Sequence, residues 1–375
     1  MINPAIMMDK IWVLLLLVFL TGCVTRPAES PEYRDALPQE AVVAGDVVYA
    51  QAGTAEYQDN DGVMSILALS GGGAYGAYGV GFLDGWSQRG DRPEFDIVTG
   101  VSTGALMSVF AFLGPQYDGL LRDLYTNTQQ SDIFVNRGIQ GLLSDSLFDN
   151  TPLKRQIERH VTPALLAKVA AEHAKGRRLY VATTNLDAGQ LVTWDMGKIA
   201  SGGRSNPLQH FQKILRASSA VPGFFPPVYI KPKRGVQLRQ AHVDGGVKRP
   251  LLTNNLLFDT VAKDRRLYVI ANDSIALRDA YAAVDGTLPS IARKTIATLT
   301  KQLLIANVNT AYVRAINSGT RFYLTSVPDR LGLNAQSLSF DQKLLRELYD
   351  AGKAQALSEK PWRRKPLGVR SHDVP

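Results

Sequence analysis

The chain has 375 residues, 45% of them apolar and 20% charged, a globular composition that excludes a fibrous or wholly disordered protein. Forty-two Lys and Arg against 34 Asp and Glu leave a net charge of +8. That excess suits attraction to anionic surfaces, but no zinc-finger spacing, RNP-type aromatic motif or dense basic helix accompanies it, so nucleic acid is not an expected partner. The one cysteine excludes an intrachain disulfide.

At the N-terminus Lys10 precedes an unbroken apolar run from Ile11 to Leu20, which leads into Leu20-Thr21-Gly22-Cys23. The run is too short for a comfortable membrane span and has the length of a signal-peptide core. Small residues leading into a cysteine resemble the lipobox of bacterial lipoproteins. That resemblance implies a signal peptide over residues 1–22, lipidation of Cys23 and an anchored tether over residues 23–62. It places the protein in the bacterial cell envelope, bound to membrane through its lipid. Val24 after the cysteine points to the outer membrane and its periplasmic side. An ordinary secretory signal with a chance cysteine is the alternative.

The tether is rich in Pro, Ala, Glu, Asp and Gln and has no sustained period beyond a short strand expected at 42–49. Ordered structure is expected to start at residues 63–69, a compact apolar run broken by glycines, as in a buried parallel strand. A helix follows at 76–90, a strand at 95–99 and a helix at 105–113. Residues 117–125 and 152–174 read as helical, and 178–185, 190–195 and 266–272 as strands. Two more helices are expected, one within 291–318 and one at 340–356. Strands alternating with helices predict a mainly parallel sheet covered on both faces, a three-layer α/β/α fold spanning residues 63–356, with a helical C-terminal part at 290–356. Residues 357–375, with Arg363, Arg364 and Lys365, read as a frayed basic tail in solvent.

The sharpest local signal is Gly100-Val101-Ser102-Thr103-Gly104. It lies between a strand candidate and a helix candidate, the setting of a nucleophile elbow. A serine at the tip of so tight a turn has strained backbone angles, and Gly100 and Gly104 let strand and helix pass closely. The helix beginning after it directs N–H dipoles towards developing negative charge. A hydroxyl needs a base. Of the five histidines, His160, His173, His210, His242 and His372, only the last follows the plausible acids, and it lies in the tail. A Ser-His-Asp triad therefore fits badly.

Three further blocks stand out: Leu69-Ser70-Gly71-Gly72-Gly73-Ala74-Tyr75-Gly76, then Leu215-Arg216-Ala217-Ser218-Ser219-Ala220-Val221-Pro222-Gly223-Phe224-Phe225-Pro226-Pro227, then Val243-Asp244-Gly245-Gly246. With the elbow, and in this order, they resemble the patatin-like phospholipases over residues 64–272. The resemblance implies a patatin-like fold and a Ser-Asp dyad of Ser102 as nucleophile and Asp244 as base. It assigns the oxyanion loop to Gly71, Gly72 and Gly73. Gly245 and Gly246 would let the aspartate's loop approach the elbow. The expected activity is hydrolysis of a lipid ester (phospholipid, lysophospholipid or glyceride) with no cofactor and no metal. The sequence departs from the family pattern at Tyr75, where Arg or Lys is usual. Phe224 and Phe225 read equally well as acyl-pocket lining and as core.

Two other readings compete. A patatin-fold lipoprotein that has lost activity would serve as a binding or assembly module, and only Tyr75 favours it. Gly71, Gly73 and Gly76 also satisfy G-x-G-x-x-G after a strand, the sign of a dinucleotide site, but that reading explains neither the elbow nor Asp244-Gly245-Gly246. Oligomeric state is left open.

Overall fold

The computed structural model describes residues 41–43, 62–142, 144–202, 206–231, 239–253, 262–276, 283–331 and 337–369. The signal segment, Cys23, most of the tether and His372 lie outside the described residues, as does 44–49 of the short strand expected at 42–49.

The strands, in chain order, are β1 (Ala41–Val43), β2 (Val63–Leu69), β3 (Ile97–Val101), β4 (Val135–Asn136), β5 (Phe148–Asp149), β6 (Arg178–Asn185), β7 (Gln190–Asp195), β8 (Val228–Ile230), β9 (Gln240–Asp244), β10 (Asp264–Ala271) and β11 (Arg321–Ser326). Nine form one sheet, with β6-β3-β2-β10-β11 parallel through its middle. β7 and β1 extend it antiparallel beside β6, and β9 with β8 joins antiparallel at the far end of β6. β4 and β5 form a separate pair.

Side chains alternate faces along a strand, and here both faces are buried. Leu67 and Leu69 of β2, with Tyr268 and Ile270 of β10, enter one core. Met64, Ile66 and Ala68, with Leu267, Val269 and Ala271, enter a second. Helices Gly76–Arg89, Thr103–Leu113, Pro163–Ala174 and Pro207–Ser218 cover the first face. The C-terminal half of helix Leu288–Asn317 covers the second through Leu304, Val308, Ala311, Tyr312 and Ala315. This is the three-layer α/β/α architecture with a mainly parallel sheet, and the apolar run of β2, interrupted only at Ser65, follows from burial on both sides.

Two expectations are corrected. The helix expected over 152–174 is two helices, Thr151–His160 and Pro163–Ala174. Pro163 has no N–H to donate and disfavours helical backbone before it, while the Thr162 side chain accepts the Leu165 amide and starts the second helix. The tail is not frayed through residue 369. Leu324 and Arg363 exchange two backbone hydrogen bonds of 2.9 and 2.8 Å, and Trp362 meets Phe82 and Trp86 edge-on at 4.6 and 4.7 Å. Of the three cations beside it, all exposed, Arg363 donates to Ser326 Oγ at 3.3 Å and the Arg364 guanidinium lies over the Tyr323 ring at 4.1 Å.

Candidate active site

Pairing to β6 builds the site. Val101, the last residue of β3, lies opposite Ala182. Asp244, the last residue of β9, lies opposite Thr183, the next residue along. Two strands running in opposite directions therefore end face to face on one edge of β6, with Ser102 and Asp244 at the junction.

Ser102 has φ 55° and ψ −125°, the one positive φ outside glycine among the described residues. Such a conformation costs about 1–3 kcal/mol and persists only where the surroundings impose it. They do so here. A Cβ at Gly100 would lie 2.4 Å from the Gly104 carbonyl, and one at Gly104 would lie 2.4 Å from the Leu69 carbonyl. The Ser102 amide donates to Ser218 Oγ at 3.0 Å, and that hydroxyl donates to the Ala182 carbonyl at 2.7 Å. Ser218 thus ties the elbow to β6. The sequence block that contains it carries no sign of this role.

Asp244 is buried. Its carboxylate accepts the Gly246 amide at 2.7 Å and lies near enough to the Ser102 hydroxyl to be stabilised by it. Its own amide donates to the Ala220 carbonyl at 2.9 Å, and its carbonyl accepts Thr184 Oγ1 at 3.0 Å. Burial pushes the carboxyl up to about 6, against the lowering effect of the nearby Ser102 hydroxyl and the Gly246 amide. The pair is therefore an alcohol beside a carboxylate of enhanced proton affinity, an arrangement in which a proton can pass from one to the other. His242, two residues away, is fully buried with Nδ1 3.0 Å from Thr183 Oγ1. Burial holds it neutral, down to about 4.

The glycine loop after β2 lies against the elbow, since a Cβ at Gly71 would sit 3.3 Å from that of Ser102. The amide of Gly71 is committed to the Pro250 carbonyl at 2.9 Å. The amides of Gly72 and Gly73 carry no hydrogen bond among the described residues. Gly73 has φ +56°, and a Cβ there would overlap the Ser337 carbonyl. Asn272, the residue after β10, braces the loop: its amide donates to Ser70 Oγ at 2.8 Å, and Nδ2 donates to the Ser70 carbonyl at 2.7 Å. A Cβ at Gly76 would sit 2.3 Å from Thr103 Oγ1, and one at Gly245 would sit 2.6 Å from the Ala182 carbonyl, so both motif glycines mark close approaches around the elbow. Tyr75 is buried with Tyr78, Val327, Leu345 and Leu348, so this position holds aromatic packing rather than a cation.

A cavity of about 550 Å³ opens over Ser102, Asp244, Gly72 and Gly73. Phe110, Phe134, Phe148, Ile157, Phe224 and Phe225 line one side of it. Phe224 and Phe225 are 7% and 3% exposed, so each both lines the cavity and belongs to the core. Among the described residues no group of three or more His, Cys, Asp or Glu could hold a metal.

No curated protein matches the chain. Among solved structures, VipD from Legionella pneumophila is similar at 12% identity and a TM-score of 0.38, covering 77% of this chain and 67% of that one. A family model described as patatin-like phospholipase matches residues 67–259. That span is just over half of the 375 residues and holds the glycine loop, the strained serine and the buried aspartate; the chain belongs to the patatin-like phospholipase family.

Proposed function

We propose that the chain is a serine hydrolase of fatty-acyl esters, with Ser102 as nucleophile and Asp244 as its base. Family membership supports lipid acyl hydrolysis in general terms. The single observation that carries the residue roles is a serine in strained elbow geometry that meets, at one strand junction, a buried carboxylate of raised proton affinity. Ser102 Oγ attacks the ester carbonyl as Asp244 takes its proton. The Gly72 and Gly73 amides bind the oxyanion, a role that falls to these two because the Gly71 amide is engaged by Pro250. Collapse expels the alcohol, which receives the proton from Asp244 and leaves an acyl-serine. Asp244 then deprotonates a water that attacks this ester, and the fatty acid departs as Ser102 Oγ recovers its proton. The aromatic wall of the cavity offers an apolar place for the acyl chain. Phospholipid, lysophospholipid and glyceride all fit this chemistry. We also propose that Cys23 carries a lipid anchor and that the domain works at the bacterial cell envelope.

The test is hydrolysis of p-nitrophenyl butyrate by the whole chain and by Ser102→Ala and Asp244→Ala. Each variant is expected to lose at least about 10³-fold in kcat/KM, the order found when a nucleophile or its activating base is removed. An inert wild type, or full activity in Asp244→Ala, would overturn the assignment and favour a patatin-fold binding module.

A further inference from the structure

Helix Leu288–Asn317 changes character along its length. From Lys301 onward Lys301, Leu304, Val308, Ala311, Tyr312 and Ala315 are buried at helical spacing, and this half is seated on the sheet. Residues 290–300 include no buried residue at all. In that first half Ile291 and Leu299 point into solvent at 47% and 64% exposure. Two turns of helix separate these residues, so they share one face, with Thr295 exposed between them. The same half forms a wall of the cavity through Arg293, Lys294, Ile296 and Ala297. Arg293 and Lys294 make no ion pair among the described residues. The helix has 30 residues, with Arg293, Lys294, Lys301 and Arg314 among them and no Asp or Glu.

We propose that residues 290–300 form a membrane-docking face, which seats the mouth of the cavity on an anionic lipid surface. An exposed apolar row flanked by cations and free of acids is the signature of a helix lying in a lipid interface. The row enters the acyl region while Arg293 and Lys294 remain at the level of the headgroups, where a negative surface attracts them. The net charge of +8 acts in the same sense at longer range. Continuity with the cavity supplies the reason for docking there: a lipid leaving the bilayer beside Leu299 reaches Ile296 and Ala297 without crossing water. No described helix is long and apolar enough to span a membrane, so the contact is one of surface seating. The choice of lipid as occupant rests on the proposed lipid-ester reading.

The test uses the whole chain carrying Ser102→Ala, to prevent hydrolysis, together with Cys23→Ser and Leu299→Cys, with an environment-sensitive fluorophore on the introduced thiol. A second label at Glu359→Cys serves as control; it lies just past helix Gln342–Leu357, whose Ala356 carbonyl accepts Arg89 Nη1 at 2.7 Å at the other end of the sheet. On phosphatidylglycerol vesicles the label at 299 is expected to shift to shorter wavelength while that at 359 does not. The midpoint lipid concentration should rise at least ten-fold on phosphatidylcholine, and by a similar factor with Arg293→Glu and Lys294→Glu combined. A label at 299 that stays in water while the chain floats with the vesicles overturns the proposal. So does an equal response to the two lipids, or a shift without vesicles that grows with protein concentration and marks a second copy of the chain. None of these readings needs catalysis. In the active protein, Ile291→Asp with Leu299→Asp should lower vesicle hydrolysis at least ten-fold and leave p-nitrophenyl butyrate hydrolysis unchanged. Loss of both activities would point back to the dyad instead.

Discussion

Asp244 must be ionised to accept a proton, and burial makes ionisation harder while making the ion a stronger base. Its carboxyl, raised from 3.8 to about 6, gains charge as pH rises through that value. With a neutral ester, kcat/KM should climb about ten-fold per pH unit below 6 and level off above about 7. The same shift has an opposite sign for stability. The folded chain holds the proton more tightly than the unfolded one, so stability present below about pH 4 is lost as pH rises through 6. The loss reaches about 3 kcal/mol at neutral pH, the difference between 6 and 3.8 converted at 1.36 kcal/mol per unit. Asp244→Asn should therefore be inactive yet melt higher than wild type at pH 8, with the gap closing towards pH 4. A gap that does not vary with pH, measured by thermal melts, would refute the buried-charge account. The elbow at Ser102 was legible in the sequence because Gly100 and Gly104 frame a local turn, whereas Asp244, followed by the common turn residues Gly245 and Gly246, was singled out only by the family resemblance. Ser218 was not: a hydroxyl near a helix C-terminus has no local mark, and its task depends on the carbonyl of Ala182, in another element. The commitment of the Gly71 amide was hidden for the same reason, since its acceptor, Pro250, lies far along the chain.

Elements were easiest to read where one residue type dominated. β2 is apolar on both faces and bounded by glycines, and its extent was plain. β9 went unread because Gln240, His242 and Asp244 make three of its five residues polar, although all five are buried. Contacts from β6 help to hold the strand there, Thr183 Oγ1 beside His242 Nδ1 and Thr184 Oγ1 donating to the Asp244 backbone carbonyl, which a local pattern cannot disclose. The C-terminal segment misled in the other direction. Its charges suggested solvent, whereas Trp362 joins Phe82, Trp86, Tyr268 and Tyr323. Large aromatic surface outweighs the neighbouring cations, one of which, Arg364, itself lies over the Tyr323 ring. Trp362→Ala should lower the unfolding free energy by roughly 2 kcal/mol, less than a fully buried tryptophan because Trp362 is half-buried. Denaturant titration would show it, and a change under about 0.5 kcal/mol would mean that the tail is not part of the folded unit.

At the scale of the whole molecule, alternation of strands and helices was sufficient to give three layers. It could not give the order of the strands, or the reversal by which β9 takes over the edge that β3 leaves. The proposed anchor belongs to this scale too, because it would bring the cavity, on the far side of a tether, within reach of one membrane. Cells supplied with an alkyne fatty acid should label the wild-type chain and not Cys23→Ser, and label retained by the variant would remove the anchor. The junction on β6 has a consequence of its own. With Val101 set by Ala182 and Asp244 by Thr183, β6 acts as a ruler on which the spacing of nucleophile and base is a single tick. The connection from β6 to β9 can lengthen or shorten without changing that spacing. A slip of β9 by one residue would turn Asp244 to the opposite face of the sheet and put Val243 or Gly245 in its place.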